Sequence, residues 1–327
     1  FGVLAKDGCA SPVDVRLYLP KTWTDDPQRC EKAGVPAAER VFRTKDQLAL
    51  EIVQSAIAHG HRFGWVGADG GYGKGPGFCL ALDRTGRQFV VDVHSDFRVY
   101  LQDPDPYIPQ REGKGGRKAI KYRTDAQAFE VKTLVEIHNL CHRPIVNVRR
   151  TARGSLKLRA LRLPVYVWDG LSASAVKWQL IATRTLGKSP ETKIFLSNAP
   201  ESVELVTLAW RQHQRFWVER TFEDAKSECG MADYQVRKWS AWHHHMALVM
   251  MTMLFMLTER LRHKDTHPLL SCSDIEELLS HFLPRRDVTR EEVLRQLQHR
   301  HRRRQAAIDS HTRMAEKRAT ATVPAPG

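Results

Sequence analysis

The sequence has no pair of cysteines at the C-x2-C spacing of a zinc site or a redox motif. Its six cysteines, Cys9, Cys30, Cys79, Cys141, Cys229 and Cys272, are scattered. This argues against both a structural zinc and a disulfide framework, and it suits a reducing cytoplasm. His138, Cys141 and His142 come closest to a ligand cluster, but no fourth ligand is evident. Long apolar runs are also missing. The longest, Met246 to Thr258, falls well short of the roughly 20 residues that cross a bilayer and reads as a buried helix. The residues from Phe1 onward show no charged-then-apolar-then-small pattern and already look like the middle of a fold, so the expected location is cytoplasmic. A P-loop is lacking as well. Gly67 to Gly75 is glycine-rich and contains Lys74, but Ala68 stands where the motif needs its first glycine and Gly75 where it needs Ser or Thr.

What is present is positive charge. In 327 residues, 51 Lys and Arg face 37 Asp and Glu, a formal net charge of +14, with a pI near 9.7. A balance that basic attracts polyanions at long range, and nucleic acid is the commonest such partner. Hydrophobic residues at 42% and charged residues at 27% describe a globular chain with material for a sizeable core.

Along the chain, Val13 to Leu19 alternates apolar and polar residues and reads as a strand. After a Pro- and charge-rich loop, Thr44 with Gln47 has the spacing of a capping box, opening a helix to about Ala58 that Gly60 stops. Arg62 to Ala68 reads as a strand running into Asp69 and the turn Gly70-Gly71-Tyr72-Gly73. A short helix at Phe78 to Leu82 and a strand at Phe89 to Val93 follow. From Asp96 to Arg162 prolines, the run Gly113-Lys114-Gly115-Gly116 and alternating basic residues indicate an irregular, β-rich insertion. Strands at Val165 to Trp168, Trp178 to Thr183 and Lys193 to Leu196 precede a long helix from Glu201 to Cys229 and another from Ala241 to Arg262. The tail, Pro284 to Arg318, is helical in pattern and strongly basic, with Arg302, Arg303 and Arg304 in a row. The order predicts an α/β sheet with a module inserted into it.

Two carboxylates stand out. Asp69 ends an apolar strand, where α/β folds place their chemistry, although an aspartate before two glycines is also a common turn residue. Glu219 lies on the helix, where Val218, Phe222, Ala225 and Cys229 make an apolar stripe. Arg215, Glu219 and Lys226 fall within about 40° of one another at its margin. The plain reading is an Arg215–Glu219 ion pair along the helix, contributing a few tenths of a kcal/mol. The functional reading gives Glu219 a divalent cation and gives Arg215 and Lys226 the phosphates of a strand. His243, His244 and His245 diverge by about 100° per residue on a helix and cannot address one ion.

The spacing Arg215-x3-Glu219-x6-Lys226 resembles the Tyr-x2-Arg-x3-Glu-x6-Lys signature of bacterial insertion-sequence DDE transposases with an RNase H-like core. Arg16 to Pro20 followed by Trp23 to Asp26, Trp65 to Asp69 with Tyr72-Gly73, Ser197-Asn198, Tyr234 to Arg237, and Arg302 to Ala307 with His311 carry the resemblance along the chain. Gln212 departs from it, standing where the signature has Tyr.

The resemblance implies an RNase H-like mixed sheet with flanking helices. Its parts would be a first core segment over 1–95, a β-rich insertion over 96–175, a second core segment with the Glu-bearing helix over 176–265, and a basic helical tail over 266–327. It implies that Asp69 and Glu219 are the second and third members of the catalytic, metal-holding DDE triad, with Mg2+ or Mn2+ as cofactor. Arg215, Lys226, Arg302, Arg303 and Arg304 would contact DNA, and double-stranded transposon ends and target would be bound by a homodimer. The first aspartate belongs on the first strand of the sheet. With Val13 to Leu19 read as the third strand, that aspartate is expected upstream, neither Asp7 nor Asp14 replacing it, and the chain alone is expected to be catalytically poor. Two other readings stay open, a DNA-binding remnant whose core is only a scaffold and an unrelated metal-dependent nuclease.

Overall fold

A computed structural model describes residues 1–6, 8–110, 119–151, 154–187, 189–283 and 289–321. Asp7, the Gly113–Gly116 run and the start of the tail at Pro284 lie outside these residues. The chain divides into two compact units, 1–275 and 276–327.

The first unit opens with a hairpin of β1 (Gly2–Lys6) and β2 (Cys9–Asp14), paired antiparallel. The strand expected over Val13 to Leu19 is therefore displaced. Asp14 ends β2 because its side chain captures the next backbone N–H, from Val15 at 2.7 Å, together with the Arg16 guanidinium. Two short helices follow, α1 (Lys21–Thr24) and α2 (Pro27–Ala33). The helix α3 (Lys45–Ala58) begins at the expected capping box, in which Gln47 N–H donates to Thr44 Oγ1 at 3.2 Å and Thr44 N–H to Gln47 Oε1 at 2.8 Å.

The main sheet contains six strands. Its two parallel strands, β3 (Trp65–Ala68) and β4 (Gln88–Asp92), are joined through α4 (Pro76–Asp83). A small ladder of β5 (Arg98–Val99) and β6 (Phe129–Glu130) and the helix α5 (Val131–Ile137) come next. The remaining strands are β7 (Ile145–Thr151), β8 (Gly154–Val167), β9 (Val176–Thr185) and β10 (Thr192–Ser197). They complete the order β3-β4-β10-β9-β8-β7, antiparallel from β4 onward. The mixed α/β class expected from the sequence is what the structure shows, and this sheet with its helices is compatible with an RNase H-like core.

β4 and β9 carry continuous apolar runs because both of their faces are covered. On one face Phe78, Leu82, Phe89, Val91, Trp178 and Leu196 form the largest core, with Phe89 set edge-on to Trp178. On the other, Val90, Ile181 and Phe195 pack under Leu208. Asn198 ties the layers together. It accepts from Phe89 N–H at 2.8 Å and donates to Asp83 and to the Arg87 carbonyl.

The single helix expected from Glu201 to Cys229 is two, α6 (Leu205–His213) and α7 (Phe216–Ser227). The bonds Arg215 N–H to Gln212 carbonyl and Val218 N–H to Arg215 carbonyl span three residues, so the chain tightens locally at the junction. No Gly or Pro causes the break. The buried face of α7 is centred on Thr221, Asp224 and Ala225, so only Ala225 of the expected stripe is fully covered. Helices α8 (Trp239–Arg262) and α9 (Cys272–Phe282) follow. In the second unit α10 (Arg290–Ala321) carries Arg302, Arg303 and Arg304, all three exposed. Among the described residues no helix is long and apolar enough to cross a membrane.

Candidate active site

β3 and β4 are parallel and in register, with Ala68 opposite Val91, so the next residue of each strand is an aspartate, Asp69 and Asp92. Alternation decides which way they face. Val66 and Ala68 pack with Val91 on the α3–α4 side, whereas Val90 faces α6, and Asp92 follows Val90 by two residues. Asp92 thus lies on the α6 side, at the carboxyl ends of two parallel strands, where open α/β sheets place their ligands.

Asp69 is exposed. Its Oδ1 accepts from Gly71 N–H at 2.8 Å, and its carbonyl accepts from Tyr72 N–H at 3.1 Å, which fixes a tight turn. The turn lies directly on β4. A Cβ on Gly73 would come 1.9 Å from the Asp92 carbonyl oxygen, so glycine alone fits there. Burial pushes the Tyr72 hydroxyl up, helped by the negative charges of Asp69 and Asp46.

Asp92 is held from α6 and the junction. Gln212, itself 4% exposed, donates its amide to both Asp92 oxygens at 3.0 and 3.3 Å. Arg215 Nε lies 3.7 Å from Asp92 Oδ2, and Arg215 Nη2 lies 2.9 Å from Glu219 Oε1. One guanidinium therefore bridges a carboxylate of the sheet and a carboxylate of the helix. Burial pushes the Asp92 carboxyl up, against the opposing pull of the Gln212 hydrogen bond, Arg215 and Lys193, and the charge of Asp69 pushes the same way as burial.

Of the residues singled out in the sequence, Arg215 and Glu219 meet directly, in the ion pair that the helical spacing also allowed. Asp69 is linked to them through Asp92, whose carboxyl is pushed up in part by the charge of Asp69. Lys226 is exposed in the last turn of α7. Arg302, Arg303 and Arg304 belong to the second unit. Among the described residues no three His, Cys, Asp or Glu side chains are grouped to hold a metal ion. The oxygen donors of Asp69, Asp92 and Glu219 are of the kind that a hard divalent cation takes. Cation binding through Glu219 Oε1 requires that oxygen to leave Arg215. His243 and His245 diverge, as their spacing demands. His243 turns its ring to the Trp239 carbonyl and His245 to that of Gly230.

Asp92 and the role of Gln212 escape a reading of sequence alone. The available signal was an acidic residue closing the apolar run Phe89 to Val91, in the strand after the one that ends at Asp69.

Residues 3–154 match the family model described as DDE superfamily endonuclease. The matched stretch contains Asp69 and Asp92 and stops short of Glu219. Curated proteins give no match. The family match supports a DDE transposase-like family and, at a coarse level, nuclease-type phosphoryl transfer on DNA, a chemistry that generally uses divalent metal ions.

Proposed function

We propose that the chain carries the second and third acidic residues of the catalytic core of an insertion-sequence DDE transposase, which cuts DNA at transposon ends and transfers the strand to a target. The observation that carries the reading is the Arg215 bridge. It links Glu219 of α7 to Asp92 at the sheet end, beside the family-matched Asp69. Asp69 and Glu219 would hold Mg2+ or Mn2+, Asp69 from the end of β3 and Glu219 after turning away from Arg215. When bound, such ions activate the attacking water or 3′-hydroxyl and stabilise the leaving oxygen.

The chain's own residues supply the rest. Arg215 and Lys226, cations at the two ends of α7, bind phosphates of the strand laid across the site. Arg302, Arg303 and Arg304 add sequence-independent, salt-sensitive affinity for double-stranded DNA. Residues 96–175 act as the insertion between the segments bearing Asp69 and Glu219, and the DNA-bound form is a homodimer.

The reading is tested by titrating Mn2+ into the full chain and following the free ion by electron paramagnetic resonance. Asp69→Asn and Glu219→Gln are each expected to weaken binding at least tenfold. Wild-type binding by Glu219→Gln would remove Glu219 from the site. It would then favour a second reading, to which the Arg215–Glu219 pair at 2.9 Å lends weight, namely a DNA-binding scaffold in which that pair is permanent.

A further inference from the structure

A buried carboxylate is costly unless it is paired, and Asp92 is paired on purpose-built terms. Its side chain is 18% exposed, whereas that of Glu219 is 61% exposed. The two carboxylates therefore grip Arg215 differently. Glu219 can swing into solvent or onto a cation with little loss. Asp92 cannot, because β4 fixes its backbone and the Gln212 amide closes on both of its oxygens. Gln212 and Arg215 flank the α6–α7 junction, one on each side, and both reach the same carboxylate.

We infer that Asp92 is a positioning residue that anchors the Nε side of Arg215, with Gln212 as its clamp. The terminal nitrogens of the guanidinium then stay over the site when Glu219 leaves them for a cation. The inference rests on the proposed reading of the site, in which Arg215 binds a DNA phosphate. It also gives the α6–α7 junction a task. Gln212 and Arg215 are three residues apart, a spacing that puts both side chains on one face, and across the junction that face meets Asp92.

The experiment is a double-mutant cycle on the full chain. DNA affinity is measured by fluorescence anisotropy with a duplex oligonucleotide, with and without Mn2+, for wild type, Asp92→Asn, Arg215→Gln and the double variant. Asparagine keeps the shape of Asp92 and removes its charge. Asp92→Asn is expected to weaken binding roughly five- to tenfold with Mn2+ present, and to add nothing once Arg215 is gone, the behaviour of residues acting through one contact. A loss that is the same in the Arg215→Gln background would overturn the inference, as would no loss from Asp92→Asn where Arg215→Gln shows one. If Arg215→Gln itself leaves affinity unchanged, the site's DNA-binding reading fails and the inference falls with it, an outcome told apart by that single variant.

A second readout needs no DNA. The Arg215 Nε resonance in 15N spectra of the free protein should shift in Asp92→Asn, which removes a charge 3.7 Å from that nitrogen. An unmoved Arg215 Nε resonance would overturn the anchor whatever the DNA result. A merely structural contribution of Asp92 would move neither the cycle's coupling nor this resonance selectively.

Discussion

Replacing Gly73 by alanine adds one methyl group at the tightest point of the site. The new Cβ would sit 1.9 Å from the Asp92 carbonyl oxygen, 2.9 Å from its carbonyl carbon and 3.0 Å from Val93 Cα. All three are backbone atoms at the carboxyl end of β4, a strand held between β3 and β10, so no flexible side chain can move aside. Overpacking of this kind costs about 1–3 kcal/mol, and a contact made wholly with backbone belongs at the upper end, near 3 kcal/mol. At roughly 2–4 °C per kcal/mol for a domain of this size class, the melting temperature should fall by about 6–12 °C. Gly77→Ala is the matched control. It adds the same methyl within α4, where nothing lies within 4 Å. Relief of glycine's backbone entropy should there raise stability by about 0.5 kcal/mol. Calorimetry of the two variants decides the matter. A Gly73→Ala protein that melts within a degree of wild type would refute the close approach of the Asp69 turn to β4.

Two further outcomes follow from the charges. Burial holds the folded Asp92 carboxyl above its ordinary range. The proton it keeps favours the folded state at low pH, and that contribution is lost as pH rises through the raised value. Asp92→Asn should therefore gain stability relative to wild type between pH 4 and pH 7, by about 1.4 kcal/mol for each unit of the elevation. A difference that is flat or falls with pH in paired thermal melts would contradict the burial argument. Replacing Arg302, Arg303 and Arg304 by serine should flatten the dependence of log affinity on log salt by about 0.9 for each phosphate contact removed. An unchanged slope in a salt titration would mean that this face of α10 does not touch DNA.

Where the sequence was legible, the signal was local. Thr44 and Gln47 announce α3 through hydrogen bonds made within one turn. The same pattern at Ser271 and Asp274 marks the start of α9 and could have been read there, since Ser271 N–H and Asp274 N–H each bond to the other residue's side chain. What stayed hidden was tertiary. Leu205 to Ser227 contains no Gly or Pro, and its helical pattern is unbroken. Its division at Gln214 and Arg215 accompanies a carboxylate more than a hundred residues earlier in the chain, which sequence spacing cannot reveal. The opening hairpin was hidden for a different reason. Gly2 to Lys6 is too short to show a period, and Val13 to Leu19 alternates convincingly although its later residues find no strand to pair with. For the candidate site, strand end, helix spacing and the family resemblance together singled out Asp69, Arg215 and Glu219. Asp92 became visible only once the parallel register of β3 and β4 set it beside Asp69.

The most direct test of the account is a crystal of the full chain soaked in Mn2+ and measured at the manganese absorption edge. The account predicts an anomalous peak with carboxylate oxygens of both Asp69 and Glu219 at about 2.1 Å, and the Glu219 side chain withdrawn from Arg215. A peak held by one of the two carboxylates alone, or none at all with the 2.9 Å Arg215–Glu219 pair intact, would contradict it.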